Sequence, residues 1–154
     1  MSIQIFPKCI DNNYRGNKIS LWLIWPVVIM RAAQGFSLIV GGPKLLKEAD
    51  GIPLDTFSTE AANAVFTMFL ISATSRIVIS LIGVMVLLRY RSALTLFASV
   101  LTLDQILRQL VLHYYPLVKI GNPFGPMTGW VFLILSIAGL AASFIGNDAN
   151  QDSK

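Results

Sequence analysis

The sequence predicts an all-α integral membrane protein: a bundle of four transmembrane helices forming a single membrane domain over residues 1–154, with the N- and C-termini cytoplasmic. Three observations predict it. Hydrophobic residues make up 55% of the chain and charged residues 13%, against about 25% charged in soluble domains. Four apolar stretches are each long enough to cross a hydrocarbon core, which needs about 20 helical residues. None of them alternates with the two-residue period of a β-barrel strand, and inside lipid every backbone polar group must be satisfied within the protein, which leaves helices.

The first stretch runs over 19–40, the second over 61–88, the third over 92–115 and the fourth over 127–145. The first is too long for the apolar region of a cleavable signal and is followed by Gly41-Gly42-Pro43 instead of a small-x-small pattern. Pro26 inside it removes a helical hydrogen bond and is expected to kink the helix. The second stretch is overlong and is expected to tilt or protrude. In the loop after the first stretch, Lys44 to Ala49 suits a short amphipathic turn at the interface, and Gly51-Ile52-Pro53 turns the chain back. Arg89-Tyr90-Arg91 is so short a turn that the second and third helices are expected to be antiparallel neighbours. The other long loop, Pro116 to Pro126, is rich in Pro and Gly and reads as a compact cap.

Charge sets the expected orientation. Lys8, Arg15, Lys18, Arg89, Arg91 and Lys154 lie on one side, and Lys44, Lys47 and Lys119 on the other, so six basic residues face three. The richer side is the cytoplasmic one. Trp22, Trp25 and Tyr90 then fall near the inner boundary, and Tyr114, Tyr115 and Trp130 near the outer one. The net charge of +4 belongs to these scattered loop residues; no basic stripe suggests a nucleic-acid partner. The single cysteine, Cys9, excludes an internal disulfide and a dithiol redox pair.

The informative residues are the charges inside the spans. An Arg or Asp at a helix centre costs about 2.5–3.5 kcal/mol to insert. Arg31 lies 12 residues after Ile19, Arg76 lies 12 before Leu88, and Asp104 lies 12 after Ser92. At about 1.5 Å per residue each is roughly 18 Å from the cytoplasmic end of its helix. Charged groups from three helices therefore share a layer near the midplane. Arg108 follows Asp104 by four residues, a spacing that permits an ion pair on one helix face. Gln34 lies one turn above Arg31 with Gly35 beside it, and Ser72, Arg76 and Ser80 share a face of the second helix. Thr102, Gln105, Gln109 and His113 form a second polar line on the third helix, which must then face the bundle or a partner. Three arginines against Asp104 leave two surplus positive charges in this layer.

Two readings follow. In one, the cluster is a polar network that locks helix packing. In the other, Arg31 and Arg76 hold an anionic or carbonyl group, Asp104 and Arg108 fix their geometry, and Gln34 adds a hydrogen bond. On the fourth helix, Gly139 and Ser143, with Ala141, Ala142 and Gly146 nearby, permit close backbone approach, either inside the bundle or in a homodimer.

The chemistry narrows the function class. His113 is the single histidine, so no multi-histidine metal site or bis-histidine haem is expected. It sits nine residues from Asp104, on the opposite helix face, so the two do not form part of a catalytic triad. No phosphate loop or dinucleotide fingerprint is present, no cofactor is implied, and enzyme is the minority reading.

With the spans placed, the chain resembles small four-helix bacterial inner-membrane proteins of the broad DoxX-like kind. Asn13-Tyr14-Arg15-Gly16, Asp50-Gly51-Ile52-Pro53-Leu54-Asp55 and Arg89-Tyr90-Arg91-Ser92 resemble segments of uncharacterised bacterial membrane proteins of similar length. The resemblance implies a bacterial inner-membrane location and a compact bundle, and brings no catalytic residues. The chain departs from small multidrug transporters, which are shorter and use a Glu in their first helix, whereas the first helix here carries Arg31. It also departs from quinone-linked disulfide formers, which need cysteine pairs. The expected role is that of a binding or accessory protein for an anionic or carbonyl-bearing lipid or small molecule. The alternatives are a subunit or assembly partner of a membrane complex and a small dimeric transporter.

Overall fold

The computed structural model describes residues 11, 12, 14, 16–117 and 125–145. The expectations attached to Lys8, Cys9, Asn13, Arg15, Lys119, Gly146, Lys154 and most of the 116–126 loop lie outside these residues. Among the described residues the chain forms four long helices: α1 (Lys18–Asp50), α2 (Thr59–Arg89), α3 (Leu94–Tyr114) and α4 (Gly125–Ile145). Short 3-10 turns occupy Leu54–Thr56 and Arg91–Ala93. All four are long and apolar enough to span a membrane, and their bounds enclose or closely match the four stretches read from sequence.

The surface is apolar where that of a soluble bundle is polar. Ile29, Phe36, Met68, Ile71, Leu103 and Ile134 are exposed, whereas Arg31, Ser80, Thr102, Gln105 and Ser136 are buried. Outward-facing apolar side chains, with the polar ones turned inward among the apolar core, are what a hydrocarbon solvent selects. Trp22, Tyr114, Tyr115 and Trp130 project outward near helix ends, the positions where amphipathic rings favour a membrane boundary.

Local chemistry sets the boundaries. Asn17 caps α1 by accepting from the Ile19 N–H at 3.0 Å, and Ser58 caps α2 by accepting from Ala61. Pro26 keeps helical dihedrals, and the break in α1 comes at Gly42, at φ 62° and ψ −157°. That conformation is essentially restricted to glycine. Pro43 then restarts the helix, its fixed φ suiting a first turn and its missing N–H costing nothing there. This second arm ends at Gly51, whose left-handed φ of 69° lets its N–H bond the Lys47 carbonyl. The expected turn over 44–49 is thus a redirected continuation of α1. Leu46, Ile52 and Leu54 bury against Leu38 and Ala73, and Lys47 pairs with Asp55.

The helices form a ring in the order α2, α1, α4, α3. Contacts are extensive between α1 and α2, α1 and α4, and α3 and α4, and sparse between α2 and α3. The Arg89-Tyr90-Arg91 turn therefore brings the ends of α2 and α3 together without making them neighbours along their length, which corrects the sequence expectation. They meet near the turn, where the flat surface at Gly83 receives Phe97. Around this point Ile24, Val28, Leu87, Leu94, Phe97 and Leu101 make the larger apolar core. Asp11 is fastened to the same turn through both the hydroxyl and N–H of Ser92.

Close approach explains two small residues. A Cβ at Gly35 would stand 2.8 Å from the Ala73 carbonyl oxygen, so glycine lets α1 lie directly on α2. At Gly139 a Cβ would meet Ile24, and the Gly139 carbonyl accepts from the Ser20 hydroxyl at 2.7 Å. The small-residue face of α4 is thus occupied by α1 of the same chain.

Candidate functional site

A cavity of about 550 Å³ lies between the helices on the side away from the α2–α3 turn. Arg31, Gln34, Arg76, Gln105, Arg108 and Gln109 all line it. Asp104 joins through Arg31: the Arg31 Nη2 donates to Asp104 Oδ2 at 2.5 Å, with the Arg31 side chain 3% exposed and Asp104 33%. Side chains from all four helices converge because each polar residue is on the inward face of an otherwise apolar helix.

The pairing differs from the expected one. Asp104 is engaged by Arg31 across the bundle, not by Arg108 one turn along its own helix. Arg31 is therefore the anchored arginine, and its second terminal nitrogen, Nη1, is buried with no hydrogen-bond partner in the protein. A guanidinium presents five donors in a fixed fork, so an orphaned one inside the bundle asks for an acceptor.

The charge sum is also different. Asp50, read from sequence as a loop acid, lines the same cavity and interacts electrostatically with both Arg76 and Arg108. It arrives there because the chain breaks at Gly42 and its second arm carries Leu45, Ala49 and Asp50 to the cavity wall. Three arginines then face two carboxylates, Asp50 and Asp104, leaving one positive charge instead of two. The sequence signal for Asp50 was the Gly-Gly-Pro break eight residues before it, which marks a change of direction but not where the arm lands.

The second polar line divides. Thr102 is buried and donates to the Ala98 carbonyl, Gln105 is 2% exposed, and Gln109 reaches toward Gly129 of α4. His113 is exposed and stacks edge-on against Tyr114, outside the cavity. Sequence reasoning missed Thr128, which accepts from the Gln34 side-chain nitrogen at 3.3 Å and so ties α1 to α4 at the wall. It also missed the apolar part of the lining, which includes Met30, Leu38, Phe69, Leu112 and Phe132.

Among the described residues no cluster of three or more His, Cys, Asp or Glu side chains is placed to hold a metal ion. The arrangement is suited to hydrogen-bonding and neutralising an anionic group, with donors on three helices and one uncompensated positive charge. No family model matches the chain, and no curated protein or solved structure is similar to it at a significant level.

Proposed function

We propose that this small multi-pass membrane protein is a binding or accessory protein that holds an anionic or carbonyl-bearing lipid or small molecule in the cavity between its helices. The carrying observation is the buried Arg31 Nη1 without a partner in a cavity that Arg76 and Arg108 also line. Burying charge and donors is costly unless they are paired. In this reading Asp104 holds the Arg31 fork in place, Arg31, Arg76 and Arg108 share the ligand's negative charge, and Gln34, Gln105 and Gln109 adjust to its shape. The loop charges support cytoplasmic termini, and the segments that resemble uncharacterised bacterial membrane proteins support a bacterial inner membrane.

The test is native mass spectrometry from a mild detergent, wild type beside Arg76→Leu. A bound small mass in wild type that disappears in the variant is the expected result. An apo mass in both, with stability alone altered, removes the binding reading. One observation favours a second reading, in which the cluster is structural and the chain is a subunit of a membrane complex: Arg31 and Asp104 pair with each other across the bundle. A stoichiometric protein partner recovered in gentle detergent would support it.

A further inference from the structure

The ring of helices has one unpacked seam. α2 packs on α1, α1 on α4 and α4 on α3, whereas α3 and α2 meet chiefly where Phe97 fits Gly83. The cavity begins beyond that contact: Arg76 is seven residues further along α2 and Gln105 eight further along α3, about 10 Å away. Both sides of the seam contribute to its wall, Phe69 and Arg76 from α2 and Gln105, Arg108 and Leu112 from α3. Their outward neighbours, Met68 and Ile71 on α2 and Leu107 and Leu110 on α3, are exposed and apolar. A molecule arriving through this seam comes from the hydrocarbon, not from water.

The walls state what it carries. One positive charge is left after Asp50 and Asp104 are set against Arg31, Arg76 and Arg108. A single negative charge makes the layer neutral. A dianion reverses its sign, and a zwitterion leaves it unmatched, both unfavourable in a low-dielectric interior. Beside the arginines, Met30, Leu38, Phe69 and Phe132 give the cavity an apolar part. Its volume of about 550 Å³ falls within the roughly 300–1,000 Å³ of sites for compact ligands. That accommodates a polar head with part of one chain.

We infer that the cavity takes the head of a single-chain, monoanionic amphiphile of the long-chain carboxylate class, which enters sideways between α2 and α3. This rests on the binding reading above and specifies its ligand and its route.

Trp130 lines the cavity, whereas Trp22 and Trp25 lie at the opposite end of α1. A Trp22→Phe/Trp25→Phe protein in phosphatidylcholine vesicles therefore reports the site by Trp130 emission. The probes are a chain-brominated long-chain fatty acid, at alkaline pH where its carboxyl is ionised, and the brominated alcohol of equal chain length. Charge-assisted hydrogen bonds predict saturable quenching by the acid at a mole fraction about tenfold or more below that for the alcohol. Arg76→Gln and Arg108→Gln should each remove the difference, and Arg89→Gln, in the distant turn, should keep it. Equal quenching by acid and alcohol overturns the inference. If a bound mass lost in Arg76→Leu persists in that case, binding stands and the ligand class is wrong; if none is found, both readings fail.

Discussion

The Arg31 guanidinium reaches across the diagonal of the bundle to Asp104, tying together α1 and α3, two helices that scarcely touch through their backbones. Asp104→Asn removes the negative partner and leaves Arg31 buried and charged. Loss of one partner of a buried pair costs about 3–5 kcal/mol, and the partial exposure of Asp104 places this case toward the lower end. Arg31→Met/Asp104→Leu removes both charges and should be more stable than Asp104→Asn alone. Thermal unfolding in detergent measures both; a double variant less stable than the single one would show that the pair stabilises the bundle beyond its own desolvation.

Most of the fold was legible because lipid imposes simple requirements of length and polarity. Spans were readable from apolar runs, and the shared depth of Arg31, Arg76 and Asp104 followed from counting helical rises. The partner of Asp104 was not readable. Four-residue spacing made Arg108 a candidate, but a long Arg31 side chain spans the bundle, and its choice depends on helix order around the ring. That order was itself misjudged, since the short Arg89-Tyr90-Arg91 turn constrains only the ends of α2 and α3. Asp50 was missed because one residue, Gly42, redirects the eight that follow it. His113 belongs to the same sequence line as Gln105 and Gln109, yet it lies at the last turn of α3, beyond the cavity.

Gly42 provides a test of that redirection. A Cβ there meets nothing within 4 Å, so any cost of Gly42→Ala comes from its φ of 62° and ψ of −157° alone. The expected loss is about 1–3 kcal/mol. Gly41→Ala differs in kind, because its Cβ would stand 2.8 Å from the Leu45 Cβ and cost through a steric clash. Thermal unfolding of Gly42→Ala measures the backbone cost. Unchanged stability there would mean the arm carrying Asp50 leaves α1 in another way.

Gly35 and Gly139 differ in what they touch. At Gly35 an added methyl would meet the Ala73 carbonyl oxygen, part of the α2 backbone, whereas at Gly139 it would meet the end of Ile24. Backbone yields less readily than a side-chain tip, so Gly35→Ala should destabilise by about 1–3 kcal/mol and Gly139→Ala by less. The same contact adjoins Arg31 and Gln34 in sequence, so Gly35→Ala should also weaken retention of any bound mass in native spectra. Equal effects at the two positions would argue against the close α1–α2 approach.

Tyr14 offers a pH test outside the spans. Burial pushes its phenol above the ordinary value, with the nearby Ser20 hydroxyl offsetting part of the effect. That hydroxyl gives its proton to the Gly139 carbonyl, and the Tyr14 oxygen itself lacks a hydrogen-bond partner, so the phenolate would gain little there. The unfolded chain releases this proton near pH 10, about the free value, while the folded chain still holds it. Above that point the unfolded state binds fewer protons, and stability falls as pH rises; below it the contribution is fully present. An ultraviolet titration of the folded protein should therefore show a phenolic component above the ordinary range. Tyr14→Phe should remove that component and flatten the alkaline loss of stability. The same titration curve in wild type and Tyr14→Phe, apart from its amplitude, would place Tyr14 in water, away from the Ser20–Gly139 contact.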